Sequence, residues 1–146
     1  MKETYYLNDG ALPYMPCPHD SVIKRLSVEG QFITFFLDAD IDDEDEAIRL
    51  LHPGATSLII RYHLEYENDY SIYKLRRSPR HLHKLFPPIY ILQEQEYIYE
   101  LAKGKRDLEY GYNYVAYNSI ILKLWSGCTT IVLELSADYV EYEWIY

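Results

Sequence analysis

The feature that most constrains the fold is a two-residue alternation of apolar and polar side chains, which recurs along most of the chain. Between Ser57 and Tyr66 every even position is apolar: Leu58, Ile60, Tyr62, Leu64 and Tyr66. Because successive side chains of a strand point to opposite faces, this spacing is typical of a strand with one buried and one wet face. We expect Asn68 and Asp69 to form a turn, after which the segment YSIYKLRR returns as the antiparallel partner.

A second hairpin is predicted nearer the start of the chain. The segments SVIKRLSV and QFITFFLD flank Glu29 and Gly30, which are suited to a turn. The second segment is apolar at both even and odd positions, which indicates a strand that is covered on both faces.

The C-terminal third alternates over a longer distance. Its even positions include six large apolar residues that we expect to share one face: Tyr110, Tyr112, Tyr114, Ile120, Leu122 and Leu124. Ser126 and Gly127 are predicted to turn the chain into the last strand. The apolar set of that strand moves from odd to even positions at Ala137-Asp138, which predicts a β-bulge or a short turn, because one extra residue reverses the face of everything that follows.

Helical patterns are few. Asp42 or Asp43 is placed to cap a short helix that runs to Leu51 and ends at His52-Pro53-Gly54. The segment LQEQEYIYELAKGK has loose helical spacing but also fits an irregular strand, and SPRHLHKLFPPI is predicted to be a long irregular connector. We therefore expect a single domain of residues 1–146 that is mainly β, an antiparallel β-sandwich or strongly curved sheet with one or two short helices.

Composition and charge exclude several classes of function. The formal net charge of −9 opposes binding to nucleic-acid phosphates and favours encounter with a basic protein. The apolar runs are far shorter than the roughly eighteen residues that a membrane helix needs, and the first residues contain no apolar signal segment. We accordingly predict a cytoplasmic protein without membrane or nucleic-acid contacts, in which Cys17 and Cys128 are reduced thiols.

The acidic stretch, Asp38 to Glu46, holds seven carboxylates in nine positions. Its first carboxylates match the early ligand positions of an EF-hand calcium loop, but Asp43 stands where that loop needs glycine and Arg49 where it needs a bidentate glutamate. We therefore expect no tight Ca²⁺ site and interpret the stretch as a solvated segment that steers a basic partner. The partner-binding carboxylates predicted here are Asp38, Asp40, Asp42, Asp43 and Glu44.

Tyrosine is the unusual component of the composition, with seventeen residues. Tyr and Trp dominate the contact energy of protein interfaces because they join a flat apolar body to a polar tip. We predict that Tyr110, Tyr112, Tyr114 and Trp144 anchor a partner. The alternative is that these rings pack within the sheet.

The sequence supports a metal site or an enzymatic function less well than it supports protein binding. On an extended strand His81 and His83 point to the same side, as two zinc ligands must, but the sequence identifies no third ligand, and we predict neither a metal nor another cofactor. The chain lacks the G-x-S-x-G, P-loop, G-x-G-x-x-G and H-E-x-x-H motifs. The two histidines belong to a basic segment that could contact phosphate, an acidic partner or the acidic stretch of this chain: Arg76, Arg77, Arg80, His81, His83 and Lys84.

A small, acidic, all-β protein rich in tyrosine and without a catalytic motif is similar in general character to bacterial immunity-type proteins, which neutralise basic toxins. That resemblance implies a non-enzymatic module that binds a basic protein. One alternative is a small-molecule or metal-binding domain, with or without enzymatic activity, whose pocket is lined by tyrosines and by His63 or by His81 and His83. Another is a homo-oligomeric structural module with an open sheet edge.

Overall fold

The structure, a computed structural model, describes residues 1–37, 46–103 and 107–146. Within these residues the chain is mainly antiparallel β, with two short α-helices and a 3-10 helix at Arg80–Leu82, which confirms the expected fold class. The strands are β1 (Lys2–Tyr6), β2 (Val22–Glu29), β3 (Phe32–Leu37), β4 (Ser57–Leu64), β5 (Tyr70–Arg76), β6 (Ile89–Leu92), β7 (Leu108–Ala116), β8 (Ser119–Ser126) and β9 (Thr129–Ile145). The α-helices are α1 (Glu46–Leu51) and α2 (Tyr97–Ala102).

The strand pairings form one sheet whose path returns on itself. The order β4-β3-β2-β7-β8-β9 leads back to β4, because β4 also pairs with β9. The 17-residue strand β9 makes this possible: β8 and β5 pair along its first half, and β4 and β1 pair along its second half. The edges of a sheet can meet in this way only if the sheet bends strongly, so the fold is the curved form of the predicted architecture.

A β-bulge in β9 separates the two halves of that strand. His63 of β4 pairs with Tyr139, whereas the next residue, Leu64, pairs with Ala137, so Asp138 is an extra residue in β9. The bulge predicted at Ala137-Asp138 is therefore confirmed. On both sides of it most of the predicted apolar residues are buried: Ile131, Leu133, Leu135, Val140, Tyr142 and Trp144. The last member of the predicted set, Tyr146, lies beyond the end of β9 and is 58% exposed, so its predicted burial is wrong.

Of the hairpins predicted around Glu29-Gly30 and around Asn68-Asp69, only the first is present. β2 and β3 pair from Glu29↔Phe32 onward, around a turn in which Gly30 has a φ of +58°. The predicted pairing of β4 with β5 is wrong. Both strands pair antiparallel with β9, and they therefore run in the same direction, one after the other, along that strand. Local turn residues predicted a reversal, but pairing with the long β9 determines the path.

The interior of the curved sheet is filled by the alternating positions of its strands. In β4 every even residue is buried, as predicted up to Leu64, whereas Tyr66 lies beyond the strand and is 72% exposed. α2 begins inside the segment for which helix and irregular strand were alternatives, and it buries Ile98 and Leu101. α1 ends at Leu51, as predicted, while its predicted capping residues Asp42 and Asp43 lie outside the described residues. Neither α-helix of the described ranges has the length and apolar character needed to cross a bilayer.

Candidate protein-contact surface

A bulge at Gly111 determines which tyrosines of β7 face solvent. Tyr110 pairs with Leu124 of β8, whereas Tyr112 pairs with Lys123, so Gly111 is an extra residue in β7. A Cβ atom on Gly111 would lie 2.5 Å from the carbonyl oxygen of Lys123, a distance that only glycine avoids. Because the extra residue reverses the alternation of the strand, the side chains before and after it point to opposite faces.

The expectation that the tyrosines of β7 share one face with the apolar residues of β8 is therefore confirmed for Tyr110 and wrong for Tyr112 and Tyr114. Tyr110 is fully buried, but Tyr112 and Tyr114 are 40% and 55% exposed. Asn113 is half-buried between them, and its Nδ2 atom donates hydrogen bonds to the hydroxyl oxygens of Tyr110 and Tyr142 at 3.2 and 3.4 Å. The sequence signal for this arrangement is the glycine between two tyrosines, since an isolated glycine in a strand often marks a bulge.

Five of the outward side chains of β7 and β8 form a surface that we call the tyrosine face: Tyr112, Tyr114, Ile121, Lys123 and Trp125. Tyr114 pairs with Ile121 and Tyr112 with Lys123, and directly paired residues of antiparallel strands project to the same side. The ring of Tyr112 lies 6.3 Å from that of Tyr114 and 5.9 Å, nearly perpendicular, from that of Trp125. Contiguous aromatic rings of this kind, of which those of Tyr112 and Tyr114 are exposed, are suited to contact with a protein.

His19 packs against one side of the tyrosine face. The His19 ring lies 4.5 Å from the ring of Tyr112 and 5.6 Å from that of Trp125. Its Nδ1 atom is 2.6 Å from a carboxylate oxygen of Asp20, while its Nε2 atom is buried and has no hydrogen-bond partner among the described residues. The contacts of His19 restrict the Tyr112 ring, which lowers the entropy that this ring would lose on binding.

Tyr110, a predicted anchor, belongs to the interior instead. Its hydroxyl oxygen lies 2.6 Å from that of Tyr62, and the nearby Tyr142 hydroxyl donates to the carbonyl oxygen of Pro16 at 2.8 Å. Burial raises the pKa of all three phenols well above the usual value, because the phenolate form would lose its hydration. Tyr110 therefore stabilises the core and offers no surface to a partner.

Trp144, the fourth predicted aromatic anchor, is also buried, with 1% of its surface exposed. Its ring stacks on that of His52 at 3.9 Å, and its Nε1 atom donates to a carboxylate oxygen of Glu3 at 2.9 Å. The same oxygen accepts a hydrogen bond from the Tyr5 hydroxyl at 2.8 Å. Trp144 thus ties β1, β9 and the residue that follows α1 together, and a surface role does not fit this position.

The predicted partner-binding carboxylates Asp38, Asp40, Asp42, Asp43 and Glu44 all lie outside the described residues. Their role stays a prediction from the sequence. The described part of the candidate site is therefore the tyrosine face, and Tyr112 and Tyr114 are the predicted anchors that lie on it.

The proposed common orientation of His81 and His83 is wrong. His81 lies within the 3-10 helix at Arg80–Leu82, where three residues make one turn, so residues two apart do not point the same way. The Nε2 atom of His83 is 2.8 Å from the carbonyl oxygen of Ser78. Over residues 1–37, 46–103 and 107–146, no three or more His, Cys, Asp or Glu side chains are grouped as a metal site would require.

His63, the third histidine of the ligand-binding alternative, lies at the β9 bulge. Its Nδ1 atom is 2.6 Å from a carboxylate oxygen of Asp138, and its ring stacks on that of Tyr139 at 4.5 Å. An open cleft of about 280 Å³ lies near the turn between β4 and β5, and its lining is polar: Asn68, Asp69, Tyr70, Ser71, Gln95, Glu134 and Ser136. This cleft contains one tyrosine and no histidine, so it is not the pocket lined by tyrosine and histidine of that alternative.

The tyrosine face is thus built from a glycine bulge, two outward tyrosines and a tryptophan on paired strands. Its chemistry is suited to contact, because its exposed groups are two tyrosine rings and an isoleucine, which lie beside the half-buried Lys123 and Trp125. A comparison of the chain with protein-family models, with curated proteins and with solved structures finds no match.

Proposed function

We propose that this protein is a non-enzymatic protein-binding module and that the tyrosine face is its contact surface. The observation that carries the proposal is the bulge at Gly111, which places Tyr112 and Tyr114 outside the core. Full burial of a large apolar side chain contributes about 1.5–3 kcal/mol, so two half-exposed rings leave part of that free energy unused. A partner that covers them would recover it as binding free energy.

The partner that we propose is a basic protein. The chain carries a net charge of −9, and the acidic stretch concentrates seven carboxylates within nine positions. Complementary charge accelerates the encounter of two proteins, while buried aromatic residues slow their separation. A basic protein is also the kind of partner that the resemblance to immunity-type proteins implies.

Comparative affinity capture from an extract of the source organism tests the proposal. The three baits are the wild-type chain, a Tyr112→Ala/Tyr114→Ala variant and a Tyr14→Ala/Tyr66→Ala variant. The last is a matched control, because Tyr14 and Tyr66 are 78% and 72% exposed but do not belong to the tyrosine face. Quantitative mass spectrometry then compares the proteins retained by each bait.

We expect a protein that the wild type and the control retain equally and that the Tyr112→Ala/Tyr114→Ala variant retains at least about tenfold less, as hot-spot residues require. Equal recovery by all three baits would show that the tyrosine face is not the contact surface. A retained protein with an acidic isoelectric point would leave the binding function in place and contradict the basic partner.

A further inference from the structure

The strand β6 leaves one of its edges open. In the described part of the sheet, β6 is the last strand of the order and pairs with β5. The backbone N–H of Gln93 donates to the carbonyl oxygen of Ile72 in β5 at 2.8 Å. The peptide groups of an antiparallel strand alternate between its two sides. The N–H and C=O groups of Ile91 therefore also point toward β5, whereas those of Tyr90 and Leu92 point away from it. These groups are spaced as an added strand requires.

The side chains around this open edge are apolar and exposed. All four residues of β6 are more than one third exposed, with Ile89 at 42%, Tyr90 at 47%, Ile91 at 38% and Leu92 at 62%. Leu85 and Phe86, just before the strand, are 74% and 57% exposed. Edge strands that avoid pairing usually carry charged side chains, and β6 carries none.

Exposed cations lie next to β6 in the chain. Arg76 pairs with Ile89 in the sheet, and Arg77, Arg80 and Lys84 follow in the connector that leads to β6. All four side chains are exposed, and none forms an ion pair with the described residues. Although the net charge of the whole chain is −9, this local cluster of cations is complementary in charge to an acidic segment of a partner.

We propose that β6 is the docking edge for an extended segment of another protein, in which apolar residues are flanked by acidic residues and which adds to β6 as a further strand. Main-chain hydrogen bonds to Tyr90 and Leu92 would supply the pairing, and the cations from Arg76 to Lys84 would select the acidic flanks. Pro87 and Pro88 end the open edge on one side, so it accommodates one short segment. This inference goes beyond the proposed function, because it concerns a different surface and the opposite partner charge.

A designed peptide tests the docking edge directly. The probe is the synthetic peptide EEVTVTVEE, and its charge-reversed control is KKVTVTVKK. Titration into the isotopically labelled full chain, followed by amide hydrogen exchange in nuclear magnetic resonance spectra, reports on each backbone N–H. We expect the acidic peptide to bind with a Kd of about 10⁻⁴ M or tighter and the lysine peptide at least about tenfold more weakly. The amides of Tyr90 and Leu92 should become protected, while those of Ile91 and Gln93, which already face β5, should change little.

Two variants separate the backbone from the side chain at the docking edge. Leu92→Pro removes an outward N–H and leaves the bonds to β5 intact, since proline is tolerated where the N–H points away from the sheet. It should weaken peptide binding by about tenfold, because the ring also occupies the space of the added strand. Leu92→Val keeps the N–H and should bind like the wild type.

A charge variant tests the cations. Arg80→Glu/Lys84→Glu should abolish the preference for acidic flanks, whereas Arg49→Glu, an exposed arginine of α1, should not. The Tyr112→Ala/Tyr114→Ala variant should bind the peptide as the wild type does. The peptide titration therefore tests the docking edge independently of the proposal that the tyrosine face is a contact surface.

Several outcomes would overturn the docking edge. Absence of peptide binding up to about 1 mM would do so, as would binding that leaves the Tyr90 and Leu92 amides unprotected. Equal binding of the acidic and lysine peptides would contradict the proposed partner charge. Protection of the same two amides in the protein alone, increasing with protein concentration, would identify a second copy of this chain as the occupant instead.

Discussion

The hydroxyl oxygens of Tyr62 and Tyr110 lie 2.6 Å apart inside the curved sheet and share one hydrogen bond. Neither side chain has exposed surface, and the Asn113 amide donates a second hydrogen bond to the Tyr110 oxygen. Burial raises the pKa of both phenols, because an ionised phenol would lose its hydration in the core. The core therefore depends on phenols that stay neutral.

This dependence predicts steep unfolding at alkaline pH. The unfolded chain releases the protons of Tyr62, Tyr110 and Tyr142 near pH 10, whereas the folded chain retains them because their folded pKa values are raised. The stabilisation is thus fully present below about pH 10 and is lost as the pH rises toward the folded pKa values. These three phenols alone should lower the free energy of unfolding by about 4 kcal/mol per pH unit in that range. Urea unfolding between about pH 8 and pH 11 measures this slope, and a flat profile would contradict it.

The hydrogen bond between the two phenols can be removed with little change of volume. Tyr62→Phe should lower the free energy of unfolding by about 1–2 kcal/mol, because it deprives the buried Tyr110 hydroxyl of a partner. It should also reduce the alkaline slope by about 1.4 kcal/mol per pH unit, since one phenol fewer titrates. Tyr66→Phe is the control, because Tyr66 is 72% exposed and its replacement should change stability by less than about 0.5 kcal/mol. Equal urea midpoints for the two variants would refute the structural role of the hydrogen bond.

The bulge in β7 is tested by adding one methyl group. Gly111→Ala places a Cβ atom 2.5 Å from the Lys123 carbonyl oxygen, and we expect a loss of about 2–3 kcal/mol as the strands move apart. Gly10→Ala is the matched control, because its added Cβ meets no atom within 4 Å. Thermal and urea unfolding compare the two variants. If both are as stable as the wild type, the close approach at Gly111 does not constrain the strand.

The carboxylate of Glu3 accepts hydrogen bonds from two side chains at the edge of the core, those of Tyr5 and Trp144. Glu3→Ala removes the acceptor of the Trp144 indole N–H and of the Tyr5 hydroxyl, and it should cost about 1–3 kcal/mol. The indole N–H resonance of Trp144 should shift and exchange faster with solvent, which a purely surface role of Glu3 would not produce. Glu29→Ala, at an exposed position, should leave both readouts unchanged.

The fold follows from the sequence wherever burial alone determines the pattern. The alternation of β4 and the phase change at Ala137-Asp138 both predict the observed faces, because a one-residue shift is visible in the spacing of apolar residues. The choice of which strands pair with each other does not follow from the sequence in this way. The turn at Asn68 and Asp69 indicated a hairpin, but β9 offers β4 and β5 a longer run of pairing, and only the tertiary fold reveals that competition.

The contact surface was predictable only in part, since an aromatic residue in an alternating strand fits the core and a binding surface equally well. Tyr110 and Tyr112 differ in burial because Gly111 lies between them, and the spacing of the apolar residues alone does not reveal that bulge. Trp144 belongs to the buried alternating set of β9, where its ring also stacks on that of His52. Composition identified the class of residue, and the bulge determined which members of that class face solvent.

The acidic stretch and the tyrosine face should contribute to binding in kinetically separable ways. Charges at the rim of an interface mainly set the rate of encounter, whereas buried aromatic residues mainly set the lifetime of the complex. Changing Asp42, Asp43 and Glu44 to Lys should therefore slow association with a basic partner by about tenfold at low salt and weaken its salt dependence, with dissociation nearly unchanged. Tyr112→Ala should instead accelerate dissociation by about tenfold and leave association nearly unchanged. Surface plasmon resonance over a range of salt concentrations measures both rates. If the charge-reversed chain associates as fast as the wild type at every salt concentration, the acidic stretch is a solvated segment without a steering role.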